Sequence, residues 1–259
     1  MNAQRNPANP FFSGIVQTYH REYDVTLPIF YYDASAFTGI YTAPTQRVKA
    51  WMPFPGATPL EILPGRSLIA ISAFEYRDTD IAPYNEFSVA ALVSHPRRQI
   101  TGLTLAAQFL SNRLQIVILS LPVTSERARK GGVEMAGYPK FLADIEFTET
   151  DGKRVCVVSS QGNRLLTFYG SILKTKKGPR THAKIFTTIR GNPMGANLYM
   201  NQLEFAQAPG WGKAGIDIGR GHGVCDMLAD LRLSKNPLAY QFCPRYEAIL
   251  FNSKNLMDT

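Results

Sequence analysis

The chain has 259 residues, of which 45% are hydrophobic and 19% are charged, and its formal net charge is +8. This composition is typical of a globular protein with a large core, and it excludes an intrinsically disordered chain. No apolar run approaches the roughly 18 residues that a membrane-spanning helix needs, so we expect no membrane partner.

Residues 1–12 are rich in Asn and Pro, and we expect a flexible N-terminal arm there, followed by a single domain over residues 13–259. Short β-branched and aromatic runs recur about every ten residues, with Gly, Pro, Asn and Asp between them. This pattern predicts a mainly β fold, a sandwich or barrel with few helices. Strands are predicted near residues 67–76, 84–93, 114–121, 141–148, 155–159, 165–173, 183–189, 196–206 and 246–251.

Two short helices are predicted among these strands. One covers residues 45–52 and ends at Pro53, and the other covers residues 125–136 and is weakened by its two glycines, Gly131 and Gly132. A further segment, residues 102–112, is compatible with either a helix or a strand.

The positive charge is compatible with anionic partners, but a nucleic-acid site needs that charge to be concentrated. One dense basic cluster occurs, in the segment 174–180, and it contains a Gly-Pro turn and no interleaved aromatic residue. The segment therefore indicates a solvated loop between strands. We expect a small acidic molecule as the partner and no nucleic acid.

Several features indicate a cytoplasmic protein without a metal. The three cysteines form no C-x-x-C pair, and the four histidines lack the spacing of metal ligands. The N-terminus is polar and has no apolar signal-peptide region. The low charged fraction suggests that part of the surface is buried in a homo-oligomer.

A glycine-rich segment, residues 210–215, fits the G-x-G-x-x-G pattern of dinucleotide-binding sites. That site requires a strand before the glycines and a helix after them. Here Pro209 precedes the segment, and residues 216–218 are predicted to form a short strand. We therefore expect no dinucleotide, and we interpret residues 219–223 as a flexible loop at a barrel mouth. No G-x-S-x-G nucleophile elbow is present.

The end of the second predicted helix places a lysine on a rigid mount. Gly137 can adopt the left-handed conformation that ends a helix, and Pro139 prevents its continuation. Tyr138 is pushed to extended geometry because it precedes proline. Lys140 therefore begins a strand beside Tyr138 and Phe141. Loss of water there would disfavour its ammonium form and make the amine a nucleophile.

Alternation along that strand supports a different interpretation. Lys140 shares a face with Leu142, Asp144 and Glu146, whereas Phe141 begins the apolar face. On this evidence alone, Lys140 could be an ordinary solvated lysine.

The stretch from Glu134 to Tyr138-Pro139-Lys140 resembles the acetoacetate decarboxylase family, whose active-site motif ends in Tyr-Pro-Lys or Phe-Pro-Lys. The resemblance implies that Lys140 forms a Schiff base with the ketone of a substrate. It also implies a role for Glu134, which lies six residues before the lysine. Weaker similarity extends over most of the chain.

The resemblance also implies an active-site glutamate at Glu86, with Tyr84 two residues before it. Strand periodicity places Tyr84, Glu86 and Ser88 on one face, as a shared pocket wall requires.

The sequence departs from the family pattern at the positions that would handle a substrate carboxylate. A second lysine that follows the motif is replaced by Phe141, and an expected arginine falls on about Ala34. Arg21 imitates the local arginine motif, but it lies thirteen residues earlier. A second family glutamate falls near Ala70 or Ile71. The identity of the keto acid therefore stays open.

Together the resemblance implies an acetoacetate-decarboxylase-like antiparallel β-barrel or cone and a cofactor-independent lyase. Lys140 would form the imine, an electron sink that needs neither a metal nor an organic cofactor. Glu86 would orient the substrate or move protons, with Tyr84, Tyr138, Phe141 and Glu134 as substrate-binding residues. The favoured reaction is decarboxylation of a β-keto acid.

Two alternatives stay open. The same lysine imine could support an aldolase-dehydratase reaction on a 2-keto acid. The protein could instead be a barrel that binds a small acid or lipid without turnover.

Overall fold

The computed structural model describes residues 9–96 and 99–258. In these ranges the helices are α1 (Thr45–Trp51), α2 (Leu103–Leu110), α3 (Glu126–Ala136) and α4 (Gly223–Leu231). The strands are β1 (Thr18–His20), β2 (Val25–Leu27), β3 (Ile29–Pro44), β4 (Thr58–Pro59), β5 (Glu61–Leu63), β6 (Arg66–Thr79), β7 (Tyr84–Ser94), β8 (Arg113–Val123), β9 (Lys140–Leu142), β10 (Asp144–Thr150), β11 (Lys153–Ser160), β12 (Asn163–Ser171), β13 (Arg180–Ile189), β14 (Asn192–Pro209), β15 (Ala214–Ile218), β16 (Ala239–Leu250) and β17 (Lys254–Asn255).

Seven long strands form a closed barrel in the order β7-β6-β3-β16-β14-β13-β8, and pairing between β8 and β7 closes the ring. The strand pairs are antiparallel except for β13 with β8. The short strand β9 runs parallel to the end of β8. The predicted mainly β barrel with few helices is confirmed.

The alternation of side chains explains why β7 is buried along almost its whole length. One face of β7 lines the barrel interior, which we call the lumen; its residues are Glu86, Ser88, Ala90 and Leu92. The other face lies in the main hydrophobic core outside the barrel and consists of Phe87, Val89, Ala91 and Val93. A strand covered on both faces needs a nearly continuous apolar run, and β7 has one.

A second sheet, in the order β10-β11-β12-β15, packs against the outside of the barrel. Phe37 from β3 and Phe168 from β12 stack at the contact, with ring centroids 4.8 Å apart. Helix α4 contributes buried apolar side chains to the same core, so one face of the barrel wall is kept dry.

The strand predicted over residues 141–148 is divided in two. Residues of β9 pair with β8 in the barrel, whereas β10 pairs with β11 in the second sheet. The chain changes sheet at Ala143, whose amide nitrogen donates to the carbonyl oxygen of Val123. A strand that passes between sheets keeps its extended pattern in sequence, so the break is invisible there.

Two helices lie where the sequence pattern was ambiguous or predicted no helix at all. The ambiguous segment 102–112 contains α2. Residues 219–222 lie outside any helix or strand, in agreement with the predicted loop, but residue 223 begins α4, a helix that was not predicted. His222 caps that helix, because its Nδ1 accepts a hydrogen bond from the amide of Val224 at 3.2 Å. The long strand β3 is also absent from the predicted strands.

Residues 1–8 of the predicted arm lie outside the described residues, and the rest of it has tertiary contacts. The ring of Phe12 lies 4.9 Å from that of Phe30 and 5.1 Å from that of Tyr32. Asn9 donates to a carboxylate oxygen of Glu247 at 2.6 Å. Residues 9–12 therefore do not form a free arm. Among the described residues, no helix is long and apolar enough to cross a membrane.

Candidate active site

The end of α3 positions Lys140 as the sequence predicted. Gly137 adopts the left-handed conformation with φ 66°, and the amide of Tyr138 donates back to the carbonyl oxygen of Gly132 at 3.0 Å. Pro139 then stops the helix, and its carbonyl oxygen accepts from the amide of Leu121 in β8 at 3.1 Å. Lys140 thus starts β9 from a backbone that is fixed on both sides.

The side chain of Lys140 crosses α3 where the helix has no side chain. A Cβ atom added at Gly132 would lie 2.5 Å from Cδ and 2.6 Å from Cε of Lys140. Two carbons cannot approach so closely, since their optimal separation is about 3.5–4.0 Å. Gly132, which weakens the helix by its propensity, therefore provides the path for the lysine.

Lys140 forms a buried ion pair with Glu86. Its Nζ lies 2.8 Å from Oε2 of Glu86, and the two side chains are 8% and 9% exposed. The second carboxylate oxygen accepts a hydrogen bond from the hydroxyl of Tyr76 at 3.2 Å. A pair this deeply buried is tolerated only when hydrogen bonds and close geometry offset the loss of water. Lys140 therefore does not lie on the wetter face that alternation indicated.

Three tyrosines surround the ion pair. The ring of Tyr76 lies 4.6 Å from the rings of both Tyr31 and Tyr84, and the hydroxyls of Tyr31 and Tyr84 are 3.4 Å apart. The Nζ of Lys140 lies 5.6 Å from the centroid of the Tyr84 ring, within reach of a cation–π interaction. Burial, and then the charge of Glu86, raise the pKa of Tyr31, Tyr76 and Tyr84. These hydroxyls therefore stay protonated and can donate hydrogen bonds.

Lys140 stands between two cavities. The lumen has a volume of about 420 Å³, and a smaller cavity of about 120 Å³ lies beneath α3. Both are lined by Lys140, Tyr31, Tyr138 and Leu250, which form the partition between them. A reactive carbon at Nζ could therefore carry substituents on both sides of the partition.

Tyr138 and Tyr84 occupy different places around the lysine. Tyr138 belongs to the partition, and burial raises the pKa of its hydroxyl. Tyr84 shares the face of β7 with Glu86, but it lines neither cavity and contacts Tyr31 instead. The hydrogen-bonding partner of Glu86 is Tyr76, not the predicted Tyr84.

The structure does not bring Glu134, Phe141 or Arg21 to either cavity. Glu134 lies on the exposed face of α3, whereas Gly131, Gly132 and Met135 of the same helix line the small cavity beside Lys140. Phe141 points away from the lumen, as the residue after Lys140 in a strand must. Its ring lies 5.1 Å from that of His222, at the edge of the main core. Arg21 is exposed in the turn after β1.

The two positions that replace family residues are apolar. Ala34 is fully buried in β3, Ala70 lines the lumen, and Ile71 lies in the main core. Sequence reasoning missed Tyr31, Tyr76 and the role of Gly132. A weak signal existed for Tyr76, because β6 and β7 are consecutive strands and a hairpin between them places Tyr76 opposite Tyr84. Among the described residues, no cluster of His, Cys, Asp and Glu has the geometry of a metal site.

Comparison with known proteins gives one family match. The family described as acetoacetate decarboxylase matches residues 17–249. No curated protein sequence matches the chain.

Three solved structures share the fold at low identity. An acetoacetate decarboxylase from Legionella pneumophila subsp. pneumophila str. Philadelphia 1 has a TM-score of 0.64 at 12% identity, over 88% of this chain and 87% of the other. The enduracididine biosynthesis enzyme MppR, complexed with pyruvate, has a TM-score of 0.59 at 12% identity, over 90% and 91%. An acetoacetate decarboxylase-like enzyme from Sphingomonas wittichii RW1 has a TM-score of 0.53 at 14% identity, over 88% and 91%. At these low identities the similarity shows a shared fold and nothing more.

Proposed function

The chain belongs to the acetoacetate decarboxylase family, and from this premise we propose that it is a cofactor-independent lyase whose Lys140 forms a Schiff base with a keto acid. The observation that carries the proposal is the buried Lys140–Glu86 pair, 2.8 Å long, at the junction of two cavities. Buried charged side chains are nearly always paired, and this pair also lies where two cavities meet, so a substrate can reach it.

The first step is the generation of a neutral amine. An ammonium group has no lone pair, so Nζ must lose a proton before it attacks a carbonyl carbon. Glu86 lies within hydrogen-bond distance of Nζ and can accept that proton directly. Proton transfer to Glu86 therefore takes the place of activation by loss of water beside the Phe141 ring, because that ring faces away from the lumen. The proton on Glu86 then serves the departure of water from the carbinolamine.

The imine that forms is protonated and draws electrons from the substrate. In a β-keto acid, the bond to the carboxylate breaks, carbon dioxide leaves, and its electron pair forms an enamine. Protonation of the enamine carbon and hydrolysis by water release the ketone and regenerate Lys140. Glu86, which is a carboxylate again once water has left, would take up a proton from solvent and supply it to carbon, and Tyr76 would hold the carboxylate in place during both transfers.

An aldolase-dehydratase reaction is the second candidate. The imine of a 2-keto acid can lose a proton to give an enamine, which adds to an aldehyde and then loses water. The existence of two cavities beside one lysine favours this candidate, because the aldehyde could occupy the second one. MppR, which shares the fold, has been solved with a condensation product of pyruvate and imidazole 4-carboxaldehyde.

The chemistry is tested by borohydride trapping. The protein is incubated with acetoacetate, longer β-keto acids or pyruvate, reduced, digested and examined by mass spectrometry. We expect a stable adduct on Lys140. Lys184→Met is the control, and it should still give the adduct on Lys140. Lys184 is a partly buried lysine of β13 that lies outside the lumen wall. If none of the ketones modifies Lys140, the Schiff-base proposal is contradicted. The remaining interpretation is a barrel that binds a small acid or lipid without turnover.

We also propose a cytoplasmic location, which the three free cysteines support, and a homo-oligomeric assembly. Its support is the charged fraction of 19% and exposed apolar side chains such as Leu110 and Trp211, which are 85% and 81% exposed. Sedimentation at micromolar concentration tests the assembly, and a monomer of 28.8 kDa would contradict it.

A further inference from the structure

The lumen is much larger than a four-carbon keto acid requires. Its volume is about 420 Å³, whereas a cavity of about 150 Å³ already holds a benzene molecule. Its wall is mainly aliphatic, and the hydroxyls of Thr38 and Ser72 in that wall hydrogen-bond each other at 2.8 Å. Gln207 and Gln241 in the wall also hydrogen-bond each other at 2.9 Å, whereas Oε1 of Gln202 is buried without a partner among the described residues. The remaining wall is largely apolar and favours an apolar ligand.

Small side chains keep the lumen open away from the lysine. Ala70 of β6 lies directly opposite Ala90 of β7, and both line the lumen. Ala90 follows Glu86 by four residues, which corresponds to about 13 Å along an extended strand. The open space therefore begins at the amine and continues well beyond the reach of a short substrate.

The smaller cavity differs from the lumen because a positively charged side chain lies at its edge. Arg127 of α3 lines it and, of the described residues that line the two cavities, is the one cation besides Lys140. Arg127 donates from Nε and Nη2 to the carbonyl oxygen of Asp24 at 3.0 and 2.6 Å. Its Nε also lies 3.4 Å from a carboxylate oxygen of Asp24, so an anion in the cavity would share Arg127 with Asp24 through the Nη1 donors. The lumen, by contrast, holds the negative charge of Glu86.

We propose that the substrate is a keto acid with an extended apolar tail, which lies across the partition with its ketone carbon at Nζ of Lys140. Its carboxylate lies in the small cavity toward Arg127, and its tail fills the lumen past Ala90. This inference rests on the proposed Schiff-base function and specifies its substrate class. It also explains why the loss of the family arginine at Ala34 need not remove carboxylate recognition.

The first test is the chain-length dependence of decarboxylation. The initial rate of carbon dioxide release is measured with unbranched 3-oxo acids of four, six, eight and ten carbons. The value of kcat/KM should rise about fourfold per methylene until the lumen is full, which corresponds to about 0.8 kcal/mol for each buried methylene. A flat or falling series would overturn the tail assignment.

Two lumen variants and a matched control connect that series to the lumen. Ala90→Phe should remove the advantage of the eight- and ten-carbon acids, so that kcat/KM no longer rises with chain length. Ala90→Ser, which keeps the lumen open, should retain the full series. Ala70→Phe, from the opposite strand, repeats the test if Ala90→Phe does not fold. A long-chain preference that survives both phenylalanines would place the tail elsewhere.

The carboxylate end has its own test. Arg127→Gln should raise KM about tenfold for all four acids, because one charge-assisted hydrogen bond is lost. Trapping of the uncharged ketone 2-octanone should be unchanged. Arg129→Gln is the control, since Arg129 pairs with Glu126 on the exposed side of α3. Equal effects on acids and ketones would remove Arg127 from carboxylate binding.

Failure of the tail proposal can be told from failure of the chemistry. Borohydride trapping of acetone and 2-octanone at equal rates keeps the Schiff base and overturns the tail. If the protein condenses pyruvate with long aldehydes, and kcat/KM does not rise with the chain length of the keto acid, the tail proposal is overturned. The lumen would then bind the aldehyde. If Lys140 traps no ketone, calorimetry with saturated fatty acids decides: affinity that rises with chain length supports the tail site, and no binding overturns it.

Discussion

The backbone of Gly132 on α3 and the side chain of Lys140 on β9 occupy adjoining space, so that no Cβ fits between them. An added Cβ would lie 2.5 Å from Cδ, 2.6 Å from Cε and 3.3 Å from Nζ, so it would meet the end of the lysine side chain that carries the amine. A side chain at residue 132 would therefore move Nζ away from Glu86. The position of Nζ therefore depends on the absence of a Cβ atom at residue 132.

Gly132→Ala should reduce the rate of borohydride trapping by about 10²-fold, since misplacement by about 1 Å has that effect in active sites. Gly131→Ala is the control, because a Cβ there meets nothing within 4 Å. Gly131 also lines the small cavity, so the two variants are compared with acetone, which has no carboxylate to place there. We expect Gly131→Ala to stabilise α3 by about 0.5–1 kcal/mol with less than a twofold change in trapping. Equal trapping by the two alanine variants would show that the lysine path does not need Gly132.

The buried ion pair should dominate the stability of the site. Lys140→Met leaves the Glu86 carboxylate buried without its partner, and we expect the free energy of unfolding to fall by about 3–5 kcal/mol. The double variant Lys140→Met with Glu86→Gln removes both charges and should recover most of that loss. Urea unfolding monitored by fluorescence measures all three proteins. A single variant as stable as the parent would mean that water reaches the pair.

Glu86→Gln should separate imine formation from proton transfer to carbon. Loss of a general acid–base residue should slow turnover by about 10²–10⁴-fold. Trapping at pH 9, where hydroxide can take the proton from the amine, should fall much less. Single-turnover kinetics resolves the two steps. If both fall equally, Glu86 acts by holding Lys140 in place.

The buried tyrosines predict a loss of stability at alkaline pH. Burial raises the pKa of Tyr31, Tyr76, Tyr84, Tyr138 and Tyr246 above the usual value of about 10. Because the folded state binds these protons more tightly than the unfolded state, their contribution is complete below pH 10 and is lost as the pH rises further. Each tyrosine should lower the free energy of unfolding by about 1.4 kcal/mol per pH unit in that range.

Urea unfolding between pH 9 and pH 11.5 measures this slope. Tyr31→Phe should reduce it by the share of one tyrosine. Tyr199→Phe, at a side chain that is 40% exposed, should leave it unchanged. A parent protein whose stability does not vary above pH 10 would contradict the burial of the five hydroxyls.

The sequence by itself determined the backbone around the lysine. Gly137 and Pro139 act on their immediate neighbours, so the helix end and the start of a strand at Lys140 could be predicted without the fold. The same holds for the shared face of Tyr84 and Glu86, because side chains two residues apart in a strand always point the same way. The short β-branched and aromatic runs likewise indicated a β-sandwich or β-barrel.

The tertiary structure decided which side of β9 faces the lumen and what meets the amine there. Lys140 and Glu86 are 54 residues apart, and closure of the barrel sets their distance. Glu134 and Phe141 are close to Lys140 in sequence, yet helix and strand geometry turn both away from it. Local rules fix the direction of a side chain relative to its own element, whereas the pairing of β9 with β8 fixes where that direction leads. Arg127 could be found only after the tertiary structure was known, whereas the hairpin of β6 and β7 gave a weak sequence signal for Tyr76.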